Sequence, residues 1–116
     1  MSDNQTQHIE LNIKEAKSIV AKGNSLDRLF SNKDFKKVIL DDYLEAEAVR
    51  LVHLKADPNM QDPESQQSII SQMDAIGCLR SYFRKVSHQK MLSEKAIESD
   101  QQTLEEMREE EVVNNG

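Results

Sequence analysis

From Ile69 onward the apolar residues return every third or fourth position for longer than anywhere else in the chain. Written in sevens, one column holds Ile69, Ile76, Phe83, Lys90, Ile97 and Leu104; the other holds Gln72, Leu79, Val86, Ser93, Asp100 and Met107. Eight of these twelve are apolar, so the seam is sound to Val86 and weaker after it. Sustained heptads predict a helix packed along a partner helix at a shallow angle, within the chain or between chains. Upstream, Asp57-Pro58-Asn59-Met60-Gln61-Asp62-Pro63 reads as a turn-rich link. Asp62 is placed to cap the long helix, with Pro63 at its first position, where a missing N–H costs nothing.

The preceding helix is expected over 33–56. Phe35, Val38, Ile39, Ala46, Val49, Val52 and Ala56 recur at helical spacing, and Leu40, Tyr43, Leu44, Leu51 and Leu54 widen the stripe. Ser31-Asn32 supplies a cap for its start. Further upstream, Ile9, Leu11 and Ile13 alternate with polar residues in a strand-like way, too briefly to stand alone. Residues 1–12 are therefore expected as a flexible arm, followed by a short helix over 13–22 that Gly23-Asn24-Ser25 ends.

These elements predict an all-α fold: an antiparallel helical hairpin of 33–56 with the first half of a long third helix, preceded by a short helix and an arm. The helical domain spans 13–98, with the third helix over 63–98. An acidic, partly helical tail covers 99–116. Extended to residue 108, the third helix would be roughly 69 Å long against roughly 36 Å for its partner. The excess seam calls for cover from elsewhere. A coiled-coil-like oligomer is the expectation, with Ile69, Ile76, Leu79, Phe83 and Val86 as its seam.

Charge sharpens this picture. The net charge of −6 lies wholly in residues 91–116, where two basic residues face eight acidic ones; residues 1–90 balance at thirteen of each. Glu105, Glu106, Glu109, Glu110 and Glu111 form an acidic partner-binding candidate, ill suited to nucleic acid or anionic lipid and well suited to a basic protein surface. With 37% hydrophobic and 4% aromatic residues, a narrow helix seam is easier to build than a broad core. No apolar run approaches the ~20 residues of a membrane span, and residues 1–10 lack the pattern of a signal peptide. A single cysteine, Cys78, excludes an internal disulfide and suits a reducing cytosol.

Candidate chemistry is sparse. His53 has no second histidine at ligand spacing, His8 and His88 add none, and no metal site or cofactor is expected. Cys78 reads as a small packed side chain. Gly77, inside a strong helix, marks a close approach by a neighbouring backbone. Asp41, Asp42, Glu45 and Glu47 read as a solvated charged face, with Glu47 paired to Arg50. No phosphate loop or nucleophile motif occurs, and no catalytic residue is assigned. Arg80, Arg84, Lys85 and Lys90, with His88 and the interleaved Tyr82 and Phe83, form a nucleic-acid candidate, or else the electrostatic mate of the acidic tail.

The stretch Leu26-Asp27-Arg28-Leu29-Phe30-Ser31-Asn32-Lys33-Asp34-Phe35-Lys36-Lys37-Val38-Ile39, continued through Glu47–Val52, Lys55–Pro58, Ile76-Gly77 and Arg80–Arg84 into the acidic end, resembles small helical proteins of tailed bacteriophages. The resemblance implies a phage-encoded particle-assembly or DNA-packaging component, in the host cytoplasm or incorporated in the virion, and assigns no functional residue. Three functions follow: a non-enzymatic structural or assembly protein docking on a phage or host protein; a small-terminase-like packaging subunit; or an acidic adaptor or inhibitor of a host protein. Residues 1–32 hold four basic against four acidic residues and no recognition helix, which favours the first.

Overall fold

The computed structural model describes residues 2–115, and the side chains of residues 3–113. Met1 and Gly116, the outer ends of the expected arm and tail, lie outside them. The fold is all-α: helix α1 (Ser2–Ser31), a single turn α2 (Lys33–Phe35), a π-helical segment (Lys36–Ala46), α3 (Glu47–Ala56), a 3-10 turn (Pro58–Met60) and α4 (Pro63–Asn115). The chain divides into two units, one made of residues 1–25 and 86–116, the other of residues 26–85.

Capping follows the sequence. Asn32 Oδ1 accepts from the backbone N–H groups of Asp34 and Phe35 at 3.0 and 2.9 Å. Asp62 Oδ2 accepts from the Ser65 N–H at 3.0 Å, and hydrogen bonds from Ser65 hold its carboxyl below the usual carboxylate range. At the end of α3 and the turn, the Gln61 side-chain amide donates to the Lys55 and Asp57 carbonyls and that of Gln66 to the Lys55 and Met60 carbonyls, the Asp57 carbonyl also accepting from the Met60 N–H.

In the second unit, Leu44 and Leu51 pack with Ile69 and Ile76 into one core, flanked by Leu40, Tyr43, Leu54, Met73, Leu79 and Phe83. The stripe differs from the expected one. Val38, Val49 and Val52 are each more than half exposed, while the residues expected only to widen the stripe fill the core. The π-helical segment accounts for the change: its wider turns, with the Glu47 N–H donating to the Asp42 carbonyl five residues back, shift which side chains share a face. Beside this core the three phenylalanines meet, Phe30 lying 5.4 Å edge-on from Phe83 and 6.1 Å stacked on Phe35. Such aromatic pairs add directional attraction to the area they bury.

In the first unit the expected arm and break are replaced by continuous helix. Leu11 is 52% exposed and Ile13 8%, so the buried rhythm is Ile9, Ile13, Ala16, Val20 and Gly23, a four-three repeat that the strand-like alternation conceals. Gly23 is buried without breaking the helix. A Cβ there would lie 2.5 Å from the Lys90 Cβ, so only glycine lets the Lys90 stem cross α1. Thr6 and Glu10 share a shallow surface hollow with Leu104, Met107 and Arg108. Position 23 opposite 90 and position 6 opposite 107 fix α1 and the later part of α4 as antiparallel. The weak part of the heptad seam is therefore covered after all: Val86 and Ser93 are buried, and Lys90, Ile97, Asp100, Leu104 and Met107 are half-buried. Ala16, Gly23 and Ser93 are small residues buried on this seam beside Ile13 and Val86.

Candidate functional site

The residues expected to join subunits are occupied inside the chain. Ile69 and Ile76 are core residues, Leu79 and Phe83 pack against them, and Val86 is 4% exposed in the other unit. In the second unit α3 and the π-helical segment pack on this seam, and in the first unit α1 faces its later half. Of the second column only Gln72 is turned out, and its neighbour Met73 takes the inward place.

Two candidate surfaces remain, one in each unit. In the first, Glu105, Glu106, Glu109, Glu110 and Glu111 are exposed on α4 itself, so the tail expected to be partly helical is helix throughout its described residues. Glu106, Glu109 and Glu110 share one face with Val113, which is 76% exposed, and Val112 beside it is 68% exposed. This unit carries six Lys/Arg against eleven Asp/Glu, whereas the other is close to neutral with nine against ten. Carboxylates spaced three and four residues apart repel one another along a helix, and an approaching cation relieves that repulsion.

In the second unit, Arg80, Arg84 and Lys85 are exposed on α4, with Tyr82 also near half exposure. Lys90 belongs to the first unit. Its stem lies on Gly23 and its ammonium stands 3.7 Å from Glu94 Oε1. Of the four-residue nucleic-acid candidate, Arg80, Arg84 and Lys85 thus belong to the second unit and Lys90 to the first. Arg80 also ends an open groove of about 230 Å³, walled by Leu44, Ala48 and Val52 on one side and by Met73, Ile76 and Gly77 on the other.

Gly77 departs from expectation. A Cβ at this position would meet nothing within 4 Å, so no backbone of the same chain approaches it; the close approach expected here is made at Gly23 instead. The two glycines should respond oppositely to alanine. Gly77→Ala should raise stability by about 0.5–1 kcal/mol through helix propensity alone. Gly23→Ala gains the same propensity but must displace the Lys90 Cβ, and overpacking of about 1–3 kcal/mol should leave it less stable than the parent. Thermal melts of the two variants check the difference in sign.

The remaining sequence candidates are simple in structure. Cys78 is exposed, one step off the inward column, rather than packed. Glu47 receives two 3.1 Å bonds from Arg50 Nε, and this pairing lowers the carboxyl below its ordinary range and raises the guanidinium. The pair is solvated and screened, so it orders the surface more than it stabilises the fold. Among the described residues no group of three His, Cys, Asp or Glu side chains is placed to hold a metal ion. No helix of the described residues is long and apolar enough to cross a membrane. The groove, and the place of Val112 and Val113 beside the acidic candidate, were missed by sequence reasoning, although Gly77, Arg80 and the glutamates were each singled out; what was lacking was the helix register that puts them on faces.

No family model, curated protein or solved structure matches the chain, so the comparisons with known proteins do not connect it to tailed-phage proteins or to any other family.

Proposed function

We propose that this chain is a non-enzymatic structural or assembly protein that docks through the acidic end of α4 on a basic, partly apolar protein surface. The observation that supports this is the placement of Glu105, Glu106, Glu109, Glu110 and Glu111 on ordered helix beside Val112 and Val113, rather than on loose chain. A helix holds carboxylates and valines at fixed spacing, so the end is a shaped surface that discriminates between partners. Binding of this kind is steered by charge and weakens as salt rises. A hairpin of the π-helical segment and α3 with the first half of α4 would act as the body that carries this end. A phage particle component is the setting that the sequence resemblance implies, in the host cytoplasm or the virion.

The DNA-packaging reading needs Arg80, Arg84, Lys85 and Lys90 as one surface, and the burial of the Lys90 stem against Gly23 weighs against it. The test of the docking reading is a photo-crosslinking amino acid in place of Val112, in the cell that produces the protein. Adducts should form and should disappear when Glu105, Glu106, Glu109 and Glu110 are changed together to glutamine. Absence of any adduct, or adducts indifferent to those changes, would contradict the reading.

A further inference from the structure

The acidic face and the groove have matching registers. On α4, Gly77 opens onto the groove, Arg80 follows three residues later and Arg84 seven. At the acidic end, Val113 projects from the helix, Glu110 precedes it by three residues and Glu106 by seven. At 1.5 Å per residue both series place charge roughly 4.5 and 10.5 Å from the apolar point. Laid antiparallel, Val113 falls over Gly77, Glu110 opposite Arg80 and Glu106 opposite Arg84.

We propose that the acidic end of α4 seats in the Leu44–Arg80 groove of a second copy of this chain. The proposal rests on the docking reading above and names its partner. Three features argue for this occupant. The groove is apolar along its length and cationic at one end, and the acidic face is apolar at one point and anionic beyond it. Gly77 has no side chain and no neighbour, leaving room for a valine from outside. Arg80 and Arg84 make no ion pair among the described residues, so their charge is available. Each face lies in a different unit, and the end that fills the groove is assigned to another copy. Each chain then offers one end and one groove, a heterologous contact that propagates head to tail until it closes into a ring or continues as a filament.

The test uses the purified full chain and light scattering over a range of concentrations. At low salt the mass should rise with concentration, and at high salt it should return to that of one chain. Arg80→Glu/Arg84→Glu reverses the groove, and Glu106→Arg/Glu110→Arg reverses the end. Each variant alone should associate more than about tenfold more weakly than the parent. Mixed together they should associate again, because the unchanged end of one fits the unchanged groove of the other, and the two reversed surfaces also fit each other. All four positions are exposed, so circular dichroism should show the parent's helicity in both variants. A parent that stays a single chain at every concentration, or a mixture no heavier than its components, would overturn the proposal. If adducts at Val112 nonetheless form in cells with a different protein, the docking reading stands and only its assignment to a second copy is lost; if no adduct forms, both fall.

Discussion

Replacing Leu51 by alanine should cost about 2–5 kcal/mol, the range for deleting a fully enclosed leucine. Leu51 is 0% exposed and lies in the core with Leu44, Ile69 and Ile76. Urea unfolding should show the loss as a lower midpoint with an unchanged slope. Val49→Ala is the matched control. The plain helical stripe places Val49 inside, whereas the structure leaves it 56% exposed, and its truncation should change stability by no more than about 0.5 kcal/mol. Equal losses at the two positions would mean that the helix turns at the ordinary α pitch and that the wider segment over Lys36–Ala46 is wrong.

Ile76→Asp should be worse, costing at least about 3 kcal/mol, because it places a carboxylate without a partner at a position 6% exposed. The mode of failure is as informative as its size. Were Ile76 only a contact between subunits, the variant would be a folded single chain. Because Ile76 belongs to the chain's own core, the variant should lose helicity, and the loss should not depend on concentration. Burial favours the neutral acid and raises the folded-state pKa of the new side chain, so part of the lost stability should return as pH falls. Circular dichroism at two protein concentrations, repeated at acid pH, checks both statements.

Much of the long helix was legible because its rhythm is regular. The column Ile69, Ile76, Phe83, Lys90, Ile97 and Leu104 faces inward throughout, including the lysine, whose stem is apolar even though its end is not. The Asn32 and Asp62 caps were legible for the same local reason: a short polar side chain followed by orphan N–H groups. What could not be read was the partner of the weak half of the seam. Its buried positions on α1 include Ala16 and Gly23, which an apolar count scores as small or as helix-breaking, so the rhythm dissolved into an apparent arm, a short helix and a break. The exposed valines have a different cause. Nothing in the residues 36–46 distinguishes a five-residue hydrogen-bond step from a four-residue one, and that step decides whether Val49 or Leu51 faces the core. The acidic end was evident as composition, but as a surface it needed the helix to continue through the glutamates.

The cover that α1 gives to the later part of α4 is the claim on which the rest depends, and one crosslink tests it directly. With Cys78 changed to serine, Thr6→Cys and Met107→Cys would put the only two thiols at facing positions of one surface hollow. A short bis-maleimide should join them within one chain, giving a species with the mass of a single chain whose yield does not change on dilution. Crosslinks that join only separate chains and fade on dilution, or no crosslink at all, would contradict the account and return the seam to a second subunit.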